Sequence, residues 1–151
     1  PHPPGGAPGG SPDRRIHLIL PEITMSPFRM ERLESATRVV LAFIEAYNRQ
    51  DVTGMMRLVS EDSALESPSP PPDGTLVSGK ASLTHYWSEF FRQYPQAHLK
   101  VDESIGYGMR CIVRWRREWL DDAGDRQHLR GTDLFRVQDG LISEQLTYIK
   151  G

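Results

Sequence analysis

Apolar residues recur at intervals of three and four along the first third of this chain. Leu33, Ala36, Val40, Phe43 and Tyr47 make one stripe, which predicts an amphipathic helix over about Glu31 to Gln50. Asp51 stands where an N-cap belongs, and Val52, Met55, Met56 and Val59 form the buried face of a second, short helix over Val52 to Val59. Ser63 to Ser67 reads as a strand stopped by Pro68. Pro68-Ser69-Pro70-Pro71-Pro72-Asp73-Gly74 cannot pair in a sheet and reads as a stiff loop at a pocket mouth, or as a ligand for a proline-binding partner. A third helix starts at Ser78 or Gly79 and ends at about Tyr94, because Pro95 stops it. It carries Leu83, Trp87, Phe90 and Tyr94 on one face, with Tyr86 and Phe91 beside them. That much aromatic surface fits one wall of a cavity for a flat, apolar molecule, and equally fits plain packing on a sheet.

From Ala97 the period changes to two. Ala97, Leu99, Val101 and Ile105 alternate with His98, Lys100, Asp102 and Ser104, and Gly106-Tyr107-Gly108 turns the chain. Met109 to Leu120 places Cys111, Val113, Trp115, Arg117 and Trp119 on one face. Asp121 to Asp125 is the next turn, Gln127 to Val137 returns, and Leu141 to Ile149 is the last strand. Asp139-Gly140 closes the final hairpin. Helices first and a meander of long strands after them make an α+β fold. The expected form is a cone-shaped, curved antiparallel sheet wrapped on three N-terminal helices, a cystatin-like α+β barrel with a pocket between the layers.

Residues 1–28 are set apart by composition. Proline and glycine crowd their first twelve positions, so they are expected to be a disordered tail ahead of a domain at residues 29–151. A short strand over Ile16 to Ile23 is the lesser alternative. Arg14-Arg15 before Ile16–Leu20 imitates a signal peptide, but the apolar run is short, broken by His17 and ended by Pro21. No stretch reaches the length of a membrane span, so no membrane partner and a cytoplasmic location are the expectations. The formal net charge is -2 without a dense basic run, which argues against a nucleic-acid partner. Cys111 is the single cysteine and cannot form an intrachain disulfide. Within a strand it reads as a small buried hydrophobe. The five histidines show no metal-ligand spacing, so no metal site is expected.

One residue breaks the pattern. Leu129, Gly131, Asp133, Phe135 and Val137 share a face, and Asp133 puts a carboxylate where the alternation demands core. A buried carboxylate must be paired, hydrogen-bonded or protonated. Arg117, the one charge on the apolar face of the neighbouring strand, is its candidate partner. Such a pair would keep Asp133 ionised and lower its pKa. Three roles stay open for Asp133: acid–base catalysis, ligand binding, and a structural pair with Arg117. Trp115, Trp119, Tyr86, Trp87 and Tyr148 are candidate pocket walls. Arg114, Arg116 and Arg136 read as a solvated or subunit-contact face.

Ala46-Tyr47-Asn48-Arg49-Gln50-Asp51, Ser60-Glu61-Asp62-Ser63-Ala64, Gly79-Lys80 before an aromatic helix, the Arg130–Ile142 stretch and the ending Tyr148-Ile149-Lys150-Gly151 together resemble the SnoaL-like branch of the nuclear-transport-factor-two-like superfamily. The resemblance covers about residues 33–151. It implies a cone-shaped α+β barrel, a homodimer formed through the outer sheet face, and no metal or organic cofactor. Asp133 falls on the oxyanion-hole acid of the ketosteroid isomerases, a carboxylic acid kept neutral by its apolar site. Their partner tyrosine falls at Phe43 and their base at Ser67, so steroid isomerisation is not implied. Arg116 with Glu118 matches half of the water-holding set of the epoxide hydrolases, whose second carboxylate falls at Thr147. The single pocket aspartate of the SnoaL-type cyclases matches Asp133 without contradiction. The expected function is a cofactor-free small-molecule enzyme or binder, acting on an apolar cyclic substrate by isomerase, cyclase or hydrolase chemistry. Asp133 and Arg117 are its catalytic pair, and Phe43, Tyr47, Tyr86, Trp87, Trp115 and Thr147 contact the ligand. The alternative is a non-catalytic ligand-binding or dimerisation module on the same fold.

Overall fold

The computed structural model describes residues 27–151, with side chains from residue 35, and in addition Pro1 and Gly5. The tail expected over residues 1–28, the alternative strand at Ile16–Ile23 and the side chain of Leu33 fall outside it, apart from the backbone at 27–28. Helix α1 spans Pro27–Asn48, and α2 spans Val52–Met56. Strand β1 is Val59–Ser67, β2 is Thr75–Ser78, and helix α3 is Lys80–Gln93. Four strands follow: β3 His98–Tyr107, β4 Arg110–Leu120, β5 Arg126–Gln138 and β6 Leu141–Ile149.

The six strands form one open sheet in the order β2-β1-β6-β5-β4-β3. All neighbours are antiparallel except β1 and β6, which run parallel. The all-antiparallel expectation therefore fails at one seam. Strands β2 to β5 and helix α3 all lie between β1 and β6 in the chain, and a connection of that length permits a parallel pair.

The α1 stripe is buried as its spacing requires, with Ala36, Val40, Phe43, Ile44 and Tyr47 all at 4 % exposure or less. α1 packs on β3, β4, β5 and β6, and α3 packs on β1 and β2. The helix stops two residues short of the expected Gln50, because Gln50 takes a left-handed φ of 59° and sends its side chain to Ala97 O at 2.9 Å. Asn48 fixes the same end to the sheet: its Nδ2 donates to Leu99 O at 3.0 Å, and Leu99 N donates to its Oδ1 at 2.8 Å. Asp51 caps α2 as expected, accepting from Gly54 N at 2.9 Å. That helix ends at Met56, and Val59 opens β1 instead of closing the helix, because Val59 pairs with Ile142 of β6. β2 went unseen in the sequence. Its four residues carry little burial signal, and only pairing with Ala64–Ser67 defines it.

Two bulges reset which residues face the helices. One lies between Val101 and Glu103 of β3 and turns Ile105, expected inside, outward to 49 % exposure. The other lies opposite Arg136 and Val137 in β6. An extra residue in a strand moves everything beyond it to the other face. Gln145 and Thr147 therefore point inward, and Tyr148, a candidate pocket wall, points outward at 53 % exposure. Asp139 and Gly140 both adopt positive φ, 53° and 76°, and close the β5–β6 hairpin as a two-residue type I′ turn. Among the described residues, no helix is long and apolar enough to cross a membrane.

Candidate functional site

Helices and sheet enclose a cavity of about 360 Å³. The eight residues assigned to the catalytic pair and the ligand contacts all line it, whereas the candidate walls Trp119 and Tyr148 do not. α1 contributes Phe43 and Tyr47, α3 Tyr86 and Trp87, β4 Trp115 and Arg117, β5 Asp133, and β6 Thr147. Pro68, Ser69 and Thr75 also line it, so the proline-rich loop does stand at the cavity. The loop is tied together by Ser69 O, which accepts from Ser67 Oγ at 3.0 Å and Thr75 Oγ1 at 2.9 Å.

The register of β4, β5 and β6 lays out the floor. Cys111, Phe135 and Gln145 form one row; Val113, Asp133 and Thr147 form the next; Trp115 and Gly131 the third; Arg117 and Leu129 the fourth. Two residues of strand separate successive rows, so Asp133 and Arg117 lie about 13 Å apart along the sheet. The indole of Trp115 fills the space between them. It can lie there because Gly131 has no side chain: a Cβ on Gly131 would meet Trp115 Cζ2 and Cη2 at 2.6 Å.

Asp133 is 4 % exposed. Its Oδ2 accepts from Gln145 Nε2 at 3.1 Å, while Oδ1 has no hydrogen-bond partner among the described residues. Burial raises its pKa to about 6, against the lowering influence of Thr147, Gln145, Trp115 and Arg117, in that order. The Asp133–Arg117 ion pair, one of the readings the sequence left open, is not formed, and the pKa moves up instead of down. The register is the cause, since Arg117 sits two rows away.

Arg117 is held by rings. Its guanidinium carbon lies 5.1 Å from the ring centroid of Phe90, 5.2 Å from Tyr94, and 5.5 Å from both Trp115 and Trp119. Trp119 thus serves the arginine instead of lining the cavity. Tyr47 is buried against Trp87, Phe90 and Phe91. Burial holds its hydroxyl well above the ordinary tyrosine range, with Arg117 working in the opposite direction. Tyr86 is raised for the same reason and is likewise opposed by Arg117.

Four buried side-chain polar atoms lack a partner among the described residues: Tyr47 Oη, Trp115 Nε1, Arg117 Nε and Asp133 Oδ1. All four residues line the one cavity. An unsatisfied buried polar group costs roughly 1–3 kcal/mol, so each of the four would gain from a well-placed polar partner. Two of the four are donors only, the tyrosine hydroxyl can act either way, and the carboxylate accepts when ionised.

Gln145 is the functional neighbour that sequence reading missed. It lies on the inward face only because of the β6 bulge; strict alternation from Ile142 puts it outside. Its one legible signal is being two residues from Thr147. Arg116 and Glu118 bond to each other at 3.2 Å away from the cavity, so the half-set matched to the epoxide hydrolases is not assembled here. Cys111 is fully buried, as expected, beside Thr37. Among the described residues, no group of three or more histidine, cysteine or acidic side chains is placed to hold a metal ion.

The model of the SnoaL-like domain family matches residues 40–145. An NTF2-like protein of unknown function from Mesorhizobium loti superposes with a TM-score of 0.68 at 30 % identity, over 80 % of this chain and 94 % of that one. A putative polyketide cyclase from Xanthomonas campestris superposes at 0.69 with 23 % identity, over 79 % and 93 %. TerC, co-crystallised with polyporic acid, superposes at 0.69 with 18 % identity, over 77 % and 92 %. The latter two likenesses are of fold. No protein of curated function matches the chain in sequence.

Proposed function

This chain belongs to the SnoaL-like domain family, and on that premise we propose that it is a small-molecule enzyme that moves a proton on an apolar, cyclic carbonyl or enol substrate without a cofactor. The observation that carries the reading is the convergence of four unpaired buried polar atoms on one aromatic cavity. An inert core has no use for that arrangement. Phe43, Trp87 and Tyr86 grip a flat ring system, and the polar atoms orient it. TerC, crystallised with polyporic acid, supports a small organic ligand for this fold.

Asp133 is the acid–base residue. As a carboxylate it takes a proton from a carbon beside the carbonyl. The electron pair left behind moves into the ring system and onto the carbonyl oxygen, where Trp115 Nε1–H or the Tyr47 hydroxyl donates to it. The protonated Asp133 then returns the proton at a different carbon. A pKa near 6 suits both directions of transfer near neutral pH. Gln145 and Thr147 hold the carboxylate in place. The reading includes a homodimer, supported by the outward-facing Ile105 and Tyr148 on the outer side of the sheet.

The test is solvent-deuterium exchange into cyclic enones and diketones, followed by NMR. The wild-type chain should catalyse exchange, and Asp133→Asn should slow it by about 10²–10⁴-fold with ligand binding kept. Exchange at the same rate in both proteins would reject the catalytic role and leave a ligand-binding module.

A further inference from the structure

The substrate class can be narrowed at the end of the cavity away from Asp133. The starting point is the charge of Arg117. A guanidinium stays protonated in any protein setting, and a buried or half-buried cation is stable only with compensation. Among the described residues, no carboxylate lies within ion-pair distance of Arg117, whereas Arg92, Arg110, Arg114, Arg116 and Arg126 each have one. Of the two acids lining the cavity, Glu89 is engaged by Arg92, and Asp133 stands two sheet rows off. Four aromatic rings surround the arginine at 5.1–5.5 Å. Ring faces attract the cation but accept no conventional hydrogen bond. Its Nε–H is buried and unmatched, and Tyr47 Oη, a second unmatched donor, belongs to the same end of the cavity.

We infer that the Arg117 cage is an anion subsite, and that the substrate is a flat, apolar ring system carrying an oxyanion, either a carboxylate or an ionised phenol or enol. The rings offer the guanidinium edge no acceptor, and a planar oxyanion matches that edge with parallel hydrogen bonds. Tyr47 Oη supplies a further donor to the same group. Trp115 bridges the two ends, so one molecule spans from the anion at Arg117 to the reacting carbon at Asp133. The inference rests on the proposed function above, because it assigns the far end of the same ligand.

Binding of matched pairs to the full chain tests it by titration calorimetry. The probes are naphthoic acid and naphthamide, biphenylcarboxylic acid and its amide, and hydroxynaphthoquinone and its methyl ether. At least one anion should bind about tenfold or more tightly than its neutral mate. Arg117→Met, which keeps the packing of the stem, should abolish the preference, and Arg117→Lys should restore part of it. Asp133→Asn should retain it. Equal affinity within every pair would overturn the anion subsite and leave the apolar cavity reading intact. A preference that survives in Arg117→Met would overturn the assignment to Arg117. If no member of any pair binds, the cavity reading fails and this inference with it. Should Arg117→Met not fold, judged by its melting curve, the comparison within pairs in the wild-type chain decides.

Discussion

Asp133 is the buried carboxylate of the proposed chemistry, and its proton links that proposal to stability. Its carboxyl has a pKa of about 6 in the folded protein and near 3.8 when exposed, with burial as the main cause. The folded state therefore binds this proton more tightly than the unfolded state. The resulting stability is fully present below about pH 4 and is lost as pH rises through about 6. Asp133→Asn removes that dependence. The stability of the variant relative to wild type should climb between pH 4 and 7 by roughly 3 kcal/mol, read from urea unfolding at each pH. A flat difference would mean that the carboxyl is not desolvated. Activity should show the opposite slope, with kcat/KM for proton abstraction rising as pH passes about 6. Gly131 is the second telling residue. A methyl there meets the Trp115 ring and Tyr148 O at 2.6 Å. Gly131→Ala should cost about 1–3 kcal/mol and alter the tryptophan fluorescence, because the indole must leave its place beside Asp133. At this scale much was legible in advance. Asp133 broke an apolar alternation, and Trp115 and Arg117 shared the facing one. The sign of the Asp133 shift was not legible, because it turns on how far Arg117 stands along the strand.

At the scale of elements, periodicity found three helices and four of the six strands with boundaries close to those observed, and a shortened version of β1. What it missed lies where pairing overrules local pattern. The β6 bulge exchanges Tyr148 for Thr147 and brings Gln145 to Asp133, and the β3 bulge turns Ile105 out. β2 exists only as a partner of β1. Two joints hold the cavity walls in position. Asn48 makes a two-way bond between the end of α1 and Leu99 of β3. Asn48→Ala would leave both backbone groups of Leu99 short of a partner and should cost about 2 kcal/mol, visible as a lower melting temperature. The second joint is Gly74, at a φ of 74°, where a Cβ would stand 1.7 Å from Ser67 O. Gly74→Ala should displace the loop that carries Pro68 and Ser69, and should weaken ligand binding more than it lowers the melting temperature.

The whole molecule is an open sheet with helices laid on one face, extended beyond β6 by the parallel β1–β6 seam. That seam carries β1 to the side of β6, so Leu65 and Ser67 line the same cavity as Gln145 and Thr147. Light scattering should give a mass of twice 17.1 kDa for the proposed homodimer; the mass of a single chain would remove dimerisation from the reading. The sequence by itself determined the layers, the order of the three helices and of every strand but β2, the Asp139-Gly140 hairpin, and Asp133 as the carboxylate set against the core. These follow from periods of 3.6 and 2 and from local turn chemistry, which act over a few residues. Tertiary structure alone decided the parallel seam, the two bulges and the separation of Asp133 from Arg117. Each depends on the register between segments far apart in the chain, and register is set by how whole faces pack. The same register makes Asp133 a desolvated acid and Arg117 a caged cation, where the sequence had suggested an ion pair.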